Sequence, residues 1–159
     1  MKFNSALRNF VLVLFSTLLI SACSTAKKAS VDTVDDVYTG TDTVEYLAKG
    51  VPDRVFFATN KSKLTTRSRD TLRKQATYLR KNKDLTVTIE GHADERGTRE
   101  YNLALGERRA NAVKDYLMTY GINGSRLSVI SYGKERPVNS GSSPLAWSQN
   151  RRSVTVKAQ

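Results

Sequence analysis

The sequence has almost none of the side chains that build metal clusters or disulfide frameworks. Its 159 residues include one cysteine, Cys23, and one histidine, His92. A single cysteine cannot close a disulfide within the chain, and these two residues cannot supply the ligands of a zinc site. The nine glycines and three prolines are scattered and the middle of the chain is regularly patterned, which excludes collagen-like, mucin-like and wholly disordered proteins. We therefore expect one ordinary domain with appendages, with no metal and no cofactor.

Acidic side chains are too few to balance the basic ones. The chain has 26 Lys and Arg against 15 Asp and Glu, and the whole excess of +11 falls in residues 51–159. Such a segment is attracted to polyanions, which include nucleic acid, anionic lipid and acidic cell-wall polymers. A basic surface that serves only solubility is equally compatible with this count. The aromatic residues do not alternate with basic ones as base-stacking side chains do, so no nucleic-acid partner is expected.

Long apolar runs are absent except near the N-terminus. Lys2 and Arg8 precede an apolar run over residues 10–20, which is too short to cross about 30 Å of hydrocarbon as a stable helix. A positive start, a short apolar stretch and small residues at its end are typical of an export signal. We interpret residues 1–22 as a signal peptide.

The only cysteine follows this signal directly. The segment Ile20-Ser21-Ala22-Cys23 resembles a bacterial lipobox, which implies cleavage before Cys23 and acylation of that residue. Several acyl chains, each contributing about 0.8 kcal/mol per buried CH₂, make a stable membrane anchor. By the same resemblance, Ser24 after the cysteine favours the outer membrane. An ordinary signal peptide that happens to end at a cysteine is the alternative.

Residues 23–50 are rich in Ser, Thr, Asp and Lys and show no sustained apolar period. This composition predicts a lipidated N-terminus that continues as a flexible tether. The folded domain is then expected to cover residues 51–159.

Strand-like and helix-like patterns alternate in this predicted domain. Apolar alternation and short β-branched runs predict strands at 54–58, 85–89, 127–132 and 153–157. A capping threonine at Thr65 or Thr66 and helical spacing of apolar residues predict a first helix, and the same spacing predicts others over about 100–120 and 144–150. The expected fold class is α/β (α+β), a two-layer sandwich with helices on one face of a mixed, roughly four-stranded sheet.

One charged residue falls on the apolar side of the second predicted helix. Leu105 and Val113 lie one turn before and after Arg109, so its side chain is directed at the core. A buried charge is costly unless it is paired. Either the stem packs on apolar surface while the guanidinium reaches water, or Arg109 pairs with a carboxylate, for which Asp94 is available. Asp94 and Arg109 together would suit a ligand that carries both an ammonium and a carboxylate.

Two segments around these residues resemble a known family. The run IEGHADERGT at 89–98 and the run EYNLALGERRA at 100–110 are similar to the signature of the OmpA-like peptidoglycan-binding domain, in the form found in peptidoglycan-associated lipoproteins. Segments at 130–137 and 150–154 extend the similarity, which covers about residue 51 to the C-terminus. The resemblance implies a noncatalytic, lipid-anchored protein of the outer membrane whose periplasmic domain binds peptidoglycan.

The resemblance also implies a binding site. The family's aspartate and arginine, fifteen positions apart, correspond to Asp94 and Arg109, which would bind the ammonium and carboxylate of meso-diaminopimelate in the peptide stem. Leu105 corresponds to a pocket-wall position and Asn102 to a polar position of the motif. On this basis, replacing Asp94 or Arg109 by Ala is expected to abolish binding while the fold survives.

The turn after the first predicted strand departs from the family. Its backbone N–H groups, at Thr59 and Asn60, would meet the ligand carboxylate, but the family usually has an aspartate where this chain has Asn60. An asparagine can preserve the turn, whereas the negative charge is lost. A scaffold with a decayed pocket is therefore a third interpretation, after the binding protein and an envelope enzyme that acts on the wall.

The remaining expectations concern partners and chemistry. The family resemblance implies TolB and the Tol system as protein partners, with a role in envelope integrity and in constriction during cell division. His92, Asp94 and Glu95 together give too few ligands for zinc or calcium. His92 also lacks a nucleophile at a recognisable spacing, so we expect no enzyme activity.

Overall fold

A computed structural model of the chain describes residues 36–158. In chain order the elements are β1 (Tyr46–Ala48), β2 (Val51–Pro52), β3 (Arg54–Phe56), α1 (Thr66–Lys81), β4 (Val87–His92), α2 (Arg99–Thr119), β5 (Leu127–Gly133), α3 (Pro144–Asn150) and β6 (Arg152–Lys157). The four strands and three helices predicted from the sequence are confirmed, and the ends that the sequence predicted differ from the observed ones by at most three residues.

A mixed sheet of four strands forms one layer of the molecule. Its strand order is β3-β6-β4-β5, in which β6 runs antiparallel to both neighbours and β4 and β5 are parallel. Parallel neighbours need a long connection, and here α2 supplies it. The end of β4 and the start of α2 therefore lie at the same edge of the sheet, with only residues 93–98 between them.

The hydrophobic core lies between the helices and one face of this sheet. The predicted helical positions Leu72, Ala76 and Leu79 of α1 are fully buried. Thr65 caps the helix, since its side chain accepts a hydrogen bond from the Ser68 N–H. The other members of the core come from α2, from the sheet and from the residues that directly follow β3 and α2, namely Val55, Phe57, Val87, Ile89, Ala110, Val113, Leu117, Ile122 and Leu127.

Helix α2 contacts strand β4 through backbone atoms. A Cβ added to Gly91 would lie 1.8 Å from the carbonyl oxygen of Gly106, and a Cβ added to Gly106 would lie 2.4 Å from Ser131 Oγ. Only glycine fits such a close approach. The contact holds Arg109, one turn further along α2, against the end of β4.

Residues 36–50 do not form the flexible tether that the sequence predicts. Val37, Tyr38 and Leu47 are buried, and the Tyr38 ring packs edge-on against Phe56 with their centroids 4.8 Å apart. These apolar side chains are spaced irregularly among polar residues, so they leave no periodic signal in the sequence. The folded domain therefore begins before residue 51.

The earlier part of the chain lies outside the described residues. This applies to the predicted signal peptide at 1–22, to Cys23 and to the predicted tether as far as residue 35. Among the helices of residues 36–158, none combines the length and the hydropathy needed to cross a membrane.

Candidate functional site

A buried carboxylate marks the edge of the sheet where β4 ends. Asp94 is 7% exposed and binds two arginines. Arg96 donates from its main-chain N–H and from Nε to Oδ1, at 3.1 and 3.0 Å, and from Nη2 to Oδ2 at 2.7 Å. Arg151 Nη1 donates to Oδ2 at 3.3 Å. Burial raises the pKa of Asp94, but the hydrogen bonds from Arg96 and Arg151 outweigh it and hold the pKa below its usual value, so the group is ionised at neutral pH.

Arg109 is fully buried, and its guanidinium binds backbone carbonyl groups. Nε donates to Lys61 O at 2.9 Å, Nη1 to His92 O at 2.7 Å and Nη2 to Ala58 O at 3.2 Å. The side chain does not reach water, so the first interpretation of its position is wrong. The second interpretation named the wrong partner. Within the described residues, the guanidinium donates to backbone carbonyls and not to the Asp94 carboxylate. Burial and the nearby Arg151 lower the pKa of Arg109 to about 9, which leaves it charged at neutral pH.

The turn that follows β3 is fixed by Arg109. Lys61 N–H donates to Ala58 O at 3.2 Å, and Arg109 binds the carbonyls of both residues. Asn60 lies inside this turn with a φ of 56°, in the left-handed region. Asparagine adopts that region more readily than most residues, so the chain keeps the turn without the aspartate of the family.

Two further residues complete the site, and the sequence analysis did not assign them to it. Arg151 is 1% exposed and donates through Nε to Phe57 O at 3.1 Å. Its Nη2 lies 2.8 Å from Oδ1 of Asp36, a residue of the predicted tether. Thr59 Oγ1 donates to Asp36 Oδ2 and accepts from Arg96 Nη2 at 3.3 Å. Three arginines and two aspartates thus meet at one edge of the sheet.

The predicted residues of α2 support the loop before the helix. Asn102 is buried and donates from Nδ2 to Arg96 O at 2.9 Å. Leu105 is also buried, at 3% exposure. Thr98 caps the helix by accepting from the Tyr101 N–H at 3.2 Å. These contacts position the loop that carries Asp94 and Arg96.

The outer side of this loop contacts α3. The Arg96 guanidinium lies 4.3 Å from the ring centroid of Trp147, and Trp147 Nε1 donates to Glu95 Oε1 at 2.8 Å. The Arg96 side chain is 42% exposed. Of the two arginines that bind Asp94, Arg96 is therefore the one whose side chain can move into solvent without disturbing the core.

His92 is poorly placed for acid–base chemistry. It is 2% exposed, and neither ring nitrogen has a hydrogen-bond partner among the described residues. Burial, together with the charge of Arg152, lowers its pKa to about 3, so the ring is neutral at physiological pH. A buried, neutral imidazole of this kind does not serve as an accessible general base.

A cleft of about 600 Å³ opens beside the turn after β3. Asp36 and Thr59 line one part of it, and Lys61, Lys63 and Arg69 line another. The cleft is of the size that small ligands occupy. Its basic side chains favour an anionic ligand next to the carboxylate-and-arginine cluster.

Comparison with known proteins identifies the family. The OmpA family profile matches residues 56–151. The peptidoglycan-associated lipoprotein of Mesorhizobium japonicum is 42% identical over 154 residues, which cover 94% of this chain and 92% of that protein. The protein of the same name from Rhizobium meliloti is 55% identical over 106 residues, 67% of this chain and 60% of its own length.

A solved structure is also similar to this chain. The crystal structure of the peptidoglycan-associated lipoprotein from Burkholderia pseudomallei is 37% identical to this chain and has a TM-score of 0.65, over 67% of this chain and 90% of that one. The signature at 89–98 and 100–110 lies inside the matched region. Because the family profile spans more than half of the sequence, the chain belongs to the OmpA family.

Proposed function

We propose that this chain is a noncatalytic outer-membrane lipoprotein whose periplasmic domain binds peptidoglycan without covalent chemistry. The observation that carries the proposal is the buried, ionised Asp94, which is bound by Arg96 and Arg151. Thr59 and Asp36, which contact these arginines, line the adjacent basic cleft. Relatives that align along nearly their whole length are named peptidoglycan-associated lipoproteins. A wall polymer with carboxylate-rich peptide stems matches the charge of this domain.

The proposed ligand group is meso-diaminopimelate of the peptide stem. Its free end carries an ammonium and a carboxylate, and the site offers one buried carboxylate together with several cationic groups. The ammonium would bind Asp94 in place of Arg96, whose exposed side chain can move away. The carboxylate would bind near the turn at Thr59 and Asn60. Arg109 contributes its charge and holds that turn in place through the carbonyl groups of Ala58 and Lys61.

A pair of matched peptides tests this assignment. A muramyl tripeptide that ends in diaminopimelate is expected to bind the full-length chain, in detergent, at least about tenfold more tightly than its lysine analogue, because lysine lacks the second carboxylate and its charge-assisted hydrogen bonds. Titration calorimetry measures both affinities. Equal affinities would show that the site does not recognise the zwitterionic end of diaminopimelate.

The membrane anchor is proposed to be Cys23. Its position directly after the predicted export signal supports acylation, and multiple acyl chains would hold the domain at the outer membrane. The Cys23→Ser variant is expected to lose incorporation of an alkyne-labelled fatty acid and to leave the outer-membrane fraction. Thr25→Ala is the control and should behave as the parent chain does. Labelling of the Cys23→Ser variant would contradict the lipobox interpretation.

The cellular role follows from the two attachments. A chain anchored in lipid at one end and bound to the wall at the other couples the two layers, and many weak contacts give collective strength while each one still exchanges. We propose that this coupling operates within the Tol system, with TolB as the protein partner, and supports envelope integrity and constriction in cell division. The support for the Tol system is the family resemblance.

A further inference from the structure

We infer that Arg151 and Thr59 form a carboxylate-binding subsite beside Asp94, and that the chain's own Asp36 fills it until a ligand carboxylate displaces that residue. The inference rests on the proposed function, since it names how the same site is regulated. Asp36 then acts as an internal competitor of the wall peptide.

The Asp36 carboxylate occupies the position that a ligand carboxylate would need. One oxygen, Oδ1, lies 2.8 Å from Arg151 Nη2, and the other, Oδ2, accepts from the hydroxyl of Thr59. Arg151 Nη2 also donates to the backbone carbonyl of Asp36. A guanidinium and a hydroxyl that converge on one carboxylate are the donors expected of a built anion site.

The folded domain fixes the Arg151 guanidinium in a position where it can bind a carboxylate. Its Nε is bound to Phe57 O and its Nη1 to Asp94 Oδ2, and the side chain is 1% exposed. These contacts fix the guanidinium and leave Nη2 directed at Asp36. In Arg109, by contrast, Nε, Nη1 and Nη2 all donate to backbone carbonyls. Of the two buried arginines near Asp94 in the described structure, Arg151 is therefore the one whose bound carboxylate can be exchanged.

The Asp36 side chain is exposed enough to be displaced from Arg151 and Thr59. It is 41% exposed, whereas that of Asp94 is 9% exposed. The next residues, Val37 and Tyr38, are buried against the domain and keep Asp36 close to the subsite. A tethered group of this kind has a high effective concentration and competes with a free ligand.

The surroundings of Asp36 fit a carboxylate-rich ligand. Asp36 and Thr59 line the cleft of about 600 Å³ that also presents Lys61, Lys63 and Arg69. A stem peptide whose terminal carboxylate replaced that of Asp36 would extend along these basic side chains. The displacement exchanges one carboxylate for another, so the charge at Arg151 stays balanced.

Removal of the internal carboxylate tests the inference. In calorimetric titrations of the full-length chain in detergent with the diaminopimelate muramyl tripeptide, Asp36→Asn is expected to lower the dissociation constant about fivefold, because the free site is no longer occupied by a partly exposed ion pair. Asp42→Asn is the matched control. Asp42 lies in the same segment and accepts from Gln149 Nε2 at 2.8 Å, outside the site, so this variant should leave the dissociation constant unchanged.

The results separate the inference from the proposed function. Unchanged affinity in Asp36→Asn would overturn the inference, and weaker binding would too, since Asp36 would then supply the charge that is missing at Asn60. In the same assay Asp94→Asn reports on the function itself. If Asp94→Asn binds like the parent chain, the proposed site is wrong. If Asp94→Asn loses binding while Asp36→Asn is unchanged, only the inference fails.

A second measurement needs no variant. Addition of the tripeptide to the parent chain should speed amide hydrogen exchange in the segment that follows Asp36, at Val37 and Tyr38, since the contacts of Asp36 with Arg151 and Thr59 are lost. Slower or unchanged exchange there, with ligand bound, would contradict displacement of Asp36.

Discussion

Replacement of Asp94 by asparagine is expected to weaken binding of the diaminopimelate tripeptide by about two orders of magnitude, because loss of one partner of a buried charge pair leaves the other charge unpaired. Asparagine keeps the shape of the side chain and removes only the negative charge. The variant would also leave Arg96 and Arg151 without their shared carboxylate, so the site would repel the ligand ammonium. Calorimetry with the tripeptide and co-sedimentation with purified peptidoglycan measure the loss.

The neighbouring residue provides the control for Asp94. Glu95→Gln also removes a negative charge from the same loop, but Glu95 is exposed and its contact is a hydrogen bond from Trp147 that glutamine can still accept. Binding by this variant should stay within about twofold of the parent chain, as expected for an exposed charge outside the site. Equal losses in Asp94→Asn and Glu95→Gln would point to general electrostatic attraction and away from a specific ammonium site. Thermal unfolding of each variant establishes that it is folded.

Most of the fold could be predicted because its signals are local. The spacing of Leu72, Ala76 and Leu79 and the cap at Thr65 each depend on residues within one or two helical turns, and both predictions are confirmed. The packing of Val37 and Tyr38 is different. It depends on contact with Phe56, which is distant in the sequence, and two apolar residues in a polar stretch carry no period that reveals it.

The site was predictable only in part, because several of its contacts also join residues that are distant in the sequence. Helix phase directs Arg109 at the core, and the structure confirms its burial. Its partners are carbonyl oxygens of residues 58, 61 and 92, and every residue has a carbonyl, so no sequence pattern could identify them. A carboxylate was the natural candidate because it is visible in the sequence. The pairing of Arg151 with Asp36 was missed because 115 positions separate the two residues along the chain.

The contacts of Arg109 with backbone carbonyls change the expected effect of Arg109→Ala on the stability of the fold. From the sequence alone, Arg109→Ala is expected to lose binding while the fold survives. In the structure the side chain is fully buried and joins the turn after β3, at Ala58 and Lys61, to the end of β4 at His92. Its loss would leave three carbonyl groups with fewer donors and open a cavity beside Phe57.

We therefore expect Arg109→Ala to lower the free energy of unfolding by about 3 kcal/mol, because a large buried side chain leaves a cavity and three buried hydrogen bonds are lost. Binding would fall as well, but as a consequence of the disordered turn. Arg108→Ala removes the same charge from the exposed side of α2 and should change the stability by less than about 0.5 kcal/mol. Urea unfolding of the two variants and the parent chain gives the comparison. If Arg109→Ala were as stable as Arg108→Ala while its peptide binding was lost, Arg109 would act on the ligand directly, as the family resemblance implies.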